Sequence, residues 1–189
     1  DNDNRLYRIN ELYGCTDQPN TGVKWTTEKI AKAIKEIEGS DPNLKGRTIS
    51  AVADPAIFQE NGGKSIADSF MEAGVYWDKG DHTRIPGKMQ CHYRLAFDEN
   101  GIPMFYCFSN CKDFIRTVPE LIYSETKVED INTEMEDHIY DEWRYVCMES
   151  PINERRDART KLYEGTDGLH DPLNMIPAQL GRYDFFKYM

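Results

Sequence analysis

No stretch of the 189 residues approaches the ~20 consecutive apolar side chains that a membrane-spanning helix requires. The first ten residues, DNDNRLYRIN, are charged and polar and lack the apolar segment of a secretory leader. They also begin without Met, so the chain is expected to be a piece of a longer polypeptide. Positive charge is scarce. Lys and Arg number 23 against 33 Asp and Glu, a net charge of −10, which excludes nucleic-acid binding by bulk electrostatics. A local basic strip and a carboxylate site are both compatible with that balance. Cysteine pairing is missing as well. The five cysteines include no CxxC, and Cys107 and Cys111 have no matching Cys/His pair at zinc spacing. Reduced, mostly buried, intracellular thiols are the expectation. What is present is an apolar fraction of 39% with 12% aromatics, enough for one packed domain with or without a tail, and 30% charged residues, as in a soluble protein.

The chain is organised around residues 129–148, EDINTEMEDHIYDEWRYVCM. Ile139, Trp143 and Val146 fall at i, i+4 and i+7, the apolar stripe of an amphipathic helix. Asp137 and Asp141 lie one turn apart with His138 beside them. Like charges at that spacing repel by a few tenths of a kcal/mol, a cost that a bound cation removes. A solvated acidic face and a set of metal ligands both satisfy the spacing.

Upstream, residues 5–13 alternate as a strand ending at Gly14. Thr26 or Thr27 caps a helix carrying Ile30, Ala33, Ile34 and Ile37 on one stripe, closed by Gly39. Residues 48–53 (TISAVA) form a buried strand that delivers Asp54 at its end, where Pro55 stops the ladder. A helix over 64–72 closes at Gly74, and 75–77 (VYW) is a further strand. This order predicts an α/β sheet with parallel crossovers. Residues 89–97 and 103–108 flank an Asn-Gly turn and predict a β-hairpin. A short helix over 111–122 and an acidic loop over 123–133 follow. The domain spans 1–150. Residues 151–189 lose periodicity and are expected to be a tail whose Tyr183, Phe185, Phe186 and Tyr188 dock on the domain or a partner.

Asp54 sits where open α/β sheets place their sites, at the carboxyl end of a strand. An Asp before Pro also opens turns, and the residues alone leave both roles open. Joined with Asp137 and Asp141 it makes a carboxylate cluster, whose repulsion a hard cation such as Mg²⁺ or Mn²⁺ relieves. Two such ions activate water and stabilise the leaving oxygen of a phosphodiester. GGKS at 62–65 is not a P-loop, because GxxxxGK[ST] requires glycine at 58 and the residue there is Phe58. Lys64 remains able to meet a phosphate backbone. Lys79, His82, Arg84 and Lys88 collect in one stretch, DKGDHTRIPGK, read either as a DNA-contacting loop or as ordinary solvated charge.

In order along the chain, ADPA (53–56), GKSIADSFMEAGV (63–75), DHTRIPG (81–87), LAFDENGIPMFYCF (95–108), CKDFIRTVPEL (111–121) and VEDINTEMEDHIYDEWRY (128–145) resemble the C-terminal nuclease domain of tailed-phage terminase large subunits. The resemblance covers residues 5–148. It implies a ribonuclease H-like mixed sheet flanked by helices with an added hairpin, and two-metal endonucleolytic cleavage of concatemeric viral dsDNA using Mg²⁺ or Mn²⁺. It also implies a parent protein with an ATPase domain, portal protein and terminase small subunit as partners, and the cytoplasm of a bacterial host as location. Asp54 matches the family's strand-end acid. DHIYDEWRY places Asp137, His138 and Asp141 on its late-helix motif, with Glu142 where alanine is usual. Asp54, Asp141 and Asp137 are the implied catalytic acids and, with His138, the implied metal ligands, while Lys64, Arg84 and Lys88 are the expected DNA contacts. The family's first acid lies on a strand expected upstream of residue 1, and Glu11 does not replace it. The alternative is a catalytically inactive docking module binding portal or other terminase subunits.

Overall fold

A computed structural model describes residues 3–152 except 17, 19, 61, 99 and 128, so the expected aromatic tail lies outside the described residues. The architecture is mixed α/β, with five α-helices and short parallel strands among those residues. β1 (Leu6–Arg8) pairs in parallel with β4 (Phe105–Cys107), Leu6 opposite Phe105. β2 (Val52–Ala53) pairs in parallel with β3 (Asp78–Lys79), Val52 opposite Asp78. These are two separate two-stranded sheets. The strands are shorter than the periodicity predicts, and the third lies at 78–79 rather than over VYW.

Helices α1 (Thr27–Ser40) and α2 (Ile66–Glu72) begin where their caps dictate. The Thr26 hydroxyl accepts from the Lys29 N–H at 3.4 Å. Ser65 and Asp68 form a reciprocal capping box, which satisfies two otherwise orphaned donors. Ala31, Phe70 and Val75 close a small core between these helices, with the Phe70 and Trp77 rings edge to face. α4 (Lys112–Thr117) runs into a 3-10 turn at Pro119. Its own N-cap offers no side-chain acceptor, and Glu11 supplies one from β1's continuation, accepting from the Asp113 and Phe114 N–H groups at 2.7 and 3.2 Å.

The first strand of the expected hairpin is instead largely helix α3 (Arg84–Leu95), while the second half contains β4; the two halves meet at the bridge of Phe97 opposite Pro103. The reason lies in what α3 buries. Gly87, Lys88, Cys91 and Arg94 fall at i, i+1, i+4 and i+7 on its inner face. That face is helical in period but mostly not apolar in type. α5 (His138–Glu149) starts nine residues later than the organising stretch and buries Ile139, Tyr140, Trp143, Arg144 and Cys147, while Val146 is exposed. The main core stacks Phe105, Phe114 and Trp143, ring centroids 5.0–5.4 Å apart. Cys91, Cys111 and Cys147 are buried free thiols around it. No helix among the described residues is long and apolar enough to cross a membrane.

α3 and α5 touch backbone to side chain at Gly87, where a Cβ meets Arg144 Cγ at 2.6 Å and Cδ at 2.8 Å. Arg144 is 1% exposed and cannot swing aside into solvent. Gly87→Ala is therefore expected to destabilise the fold by about 1–3 kcal/mol through overpacking, despite a helix-propensity gain of about 1 kcal/mol. Urea unfolding measures the balance, and an increase in stability refutes the contact as a constraint.

Candidate functional site

The site grows from the end of β2. Asp54 caps a 3-10 turn over Pro55–Phe58, one carboxylate oxygen accepting the Ala56 N–H at 2.7 Å. Its other oxygen accepts from the Tyr145 hydroxyl at 2.5 Å, a contact between residues 91 positions apart. The turn role and the cleft-facing role coexist. These two hydrogen bonds, that from Tyr145 first, hold the Asp54 carboxyl below the usual range. Burial, and then the bond to Asp54, push Tyr145 up to about 12. Gly80 makes the approach possible, since a Cβ there meets Val52, the Ala53 carbonyl and the Tyr145 ring at 3.0–3.1 Å.

Tyr145 and Asp141 are one helical turn apart on α5, so the turn that fixes Asp54 also carries Asp141 toward it. Asp54, His138, Asp141 and Tyr145 line one cleft of about 700 Å³. His138 is exposed at the first position of α5, and Asp137, its N-cap, is buried. Burial first and then the charge of Asp141 raise the Asp137 pKa above that of an ordinary carboxyl.

Of the expected DNA contacts, Arg84 and Lys88 lie on α3 rather than in a loop. Arg84 opens α3 and turns into the acids: Nε donates to Asp130 at 2.6 Å and Nη1 to the two oxygens of Asp141 at 3.2 and 3.3 Å, with Asp137 at 4.0 Å. Arg144 Nε reaches Asp141 from the same helix at 3.2 Å. Lys88 is buried, donates to the Glu129 carbonyl and lies 4.5 Å over the Tyr123 ring, and burial lowers its pKa. Lys64 is exposed and pairs with Glu72. Asp130 and Tyr145 are the partners that sequence spacing missed. Asp130 lies in the loop before α5 with no periodic signal, and Tyr145 stood inside the quoted DHIYDEWRY motif without an assigned role.

Mg²⁺ and Mn²⁺ demand a converging set of oxygen donors. Among the described residues no group of three or more His, Cys, Asp and Glu side chains comes together to hold a metal ion. Asp141 spends its oxygens on two guanidinium groups. The residues present thus do not by themselves fit a two-ion centre. What they build is a strand-end carboxylate and a helix carboxylate, both oriented by hydrogen bonds, on one cleft wall. No family model, curated protein or solved structure matches the chain.

Tyr145→Phe removes the hydroxyl donor and keeps the ring. The Asp54 pKa is expected to rise toward the ordinary value near 4, read by carboxyl-carbon NMR titration. Because the native carboxyl is depressed, its contribution to stability is present above that ordinary value and is lost as pH falls through the native pKa. The variant should show a shallower acid-side loss of stability. An unchanged Asp54 titration overturns the role given to Tyr145.

Proposed function

We propose that this chain is the ribonuclease H-like nuclease domain of a tailed-phage DNA-packaging terminase large subunit, acting in metal-dependent endonucleolytic cleavage of double-stranded DNA. The observation that carries the reading is the meeting of Asp54 and Asp141 on one cleft, the first from the carboxyl end of a strand and the second from a helix 87 residues later. The ordered motifs over residues 5–148 supply the class, and the mixed α/β architecture with parallel strands is compatible with it. Asp54 and Asp141 are then two acids of a larger ligand set that further donors complete. The cleft lining contains five carboxylates and neither lysine nor arginine, and Arg8, Arg84 and Arg144 pair with three of those carboxylates, Glu11, Glu142 and Asp141.

In the natural-length polypeptide with Mn²⁺, supercoiled plasmid should be nicked and linearised. Asp54→Asn should reduce the rate at least about 100-fold, the order seen when a charge-stabilising group is removed from an active site, with unchanged circular dichroism. Asp141→Asn should do the same. Full cleavage by both variants sinks the proposal.

A second reading is favoured by the capture of Arg84 by Asp130, Asp137 and Asp141. In that reading the acids are structural and the domain is a catalytically inactive docking module for portal or other terminase subunits. Melting against Mn²⁺ separates the two. A carboxylate-held metal raises the melting temperature with concentration and does so less in Asp54→Asn, whereas a docking module shows neither effect.

A further inference from the structure

The starts of α3 and α5 are joined through the acids, yet the two helix ends favour opposite charges. Arg84 is the first residue of α3, whose first turn carries no acidic side chain and whose N-cap, Thr83, makes no side-chain cap bond. A cation there meets the positive pole of the helix dipole. Asp137 and Asp141 stand at the corresponding end of α5, where the dipole favours a carboxylate with or without a partner. Arg84 thus gains nothing from the helix it opens, and what holds it is the acids.

That hold is uneven. Nε donates to the buried Asp130 at 2.6 Å. Nη1 spans the two oxygens of the half-buried Asp141 at 3.2 and 3.3 Å. Nη2 is buried without a hydrogen-bond acceptor among the described residues and lies 4.0 Å from Asp137. The contact with Asp130 is short and enclosed, while that with Asp141 is longer and borders the cleft that Asp54 shares. The oxygens of Asp141 differ as well. Oδ1 also accepts from Arg144 Nε at 3.2 Å, and Arg144 is pinned to the Thr83 carbonyl with its side chain 2% exposed. Oδ2 has Arg84 as its sole donor among the described residues. The Arg84 side chain is 28% exposed, so it has the freedom to move that Arg144 lacks.

We propose that Arg84 is a latch on Asp141. Closed, as in this structure, it holds both Asp141 oxygens and withholds Oδ2 from the cleft. Open, the guanidinium turns off Asp141 about its bond to Asp130, and Oδ2 becomes accessible while Arg144 still fixes Oδ1. The proposal rests on the metal-dependent reading of the site and supplies its regulation. An internal cation is seated among the acids, and the cleft is competent only with the latch open. A site that is competent for a fraction of the time binds more weakly by that fraction, so the latch is visible in cation affinity apart from any cleavage.

The test is Mn²⁺ binding to the natural-length polypeptide, followed through the electron paramagnetic resonance signal of free Mn²⁺. Arg84→Gln should tighten binding by about tenfold or more, and adding Asp141→Asn should remove the gain. Arg84→Lys separates a latch from simple charge. It keeps the positive charge and loses the planar fork that spans two carboxylates. A latch predicts a gain there too, whereas relief of repulsion alone predicts none. Circular dichroism checks that each variant is folded, and Arg84→Lys carries the test if the neutral variant is not. Equal affinity of the wild-type and Arg84→Lys proteins overturns the latch, and so does a gain that survives Asp141→Asn. If that equal affinity still depends on Asp54, shown by its loss in Asp54→Asn, the latch alone fails and the metal-dependent reading stands. No Mn²⁺ binding by any of the proteins removes both.

Discussion

The burial of Arg144 is the constraint on which the rest of the structure depends. Its guanidinium reaches the Thr83 carbonyl at the start of α3 and the Asp141 carboxylate one turn back on α5. Its aliphatic stem lies against Gly87, where the missing side chain lets the two helices close. A buried charge is costly unless paired and fully hydrogen-bonded, so the α3–α5 spacing is tied to polar geometry as well as to apolar area. Arg84 repeats the arrangement at the edge of the interface, reaching across to Asp130 and Asp141. Arg94 extends it at the far end, donating to Asn4 and to the carbonyl of Ser150 that caps α5.

From that interface the site follows. Fixing α5 fixes Tyr145, which holds Asp54 across the end of β2, and it fixes Asp141 a turn away. The acids of the cleft are consequently pre-oriented by donors of their own chain. The same geometry explains why Arg84 and Lys88 are not displayed. Arg84 and Lys88 lie on α3 beside acidic neighbours and carbonyls, so their charge is spent on the fold.

Much of the local structure is legible in the sequence because short-range chemistry sets it. Thr26 caps its helix, Pro55 stops β2, and Pro119 lies just past the short helix after Cys111. Each rests on a backbone donor or a fixed dihedral within a few residues. The segment over 89–97 was not legible in this way. Met89, Tyr93, Leu95 and Phe97 alternate as a strand does, while the face that becomes buried carries glycine, lysine, cysteine and arginine. Hydrophobic periodicity assigns such a face to solvent. On α5 the stripe drawn through Val146 misses Arg144 and Cys147 for the same reason.

The sequence by itself determined the cap of α1, the position of Asp54 at a strand end, the spacing of Asp137 and Asp141 one helical turn apart, and the α/β class. All of these depend on neighbours within about four residues or on periodicity within one element. Tertiary structure alone decided that Tyr145 meets Asp54, that Arg84 meets Asp130 and Asp141, and that the described strands fall into two pairs. Those contacts join residues 46 to 91 positions apart. Their existence depends on how closely two helices pack, which here turns on the absence of a side chain at Gly87 and the burial of a charge at Arg144.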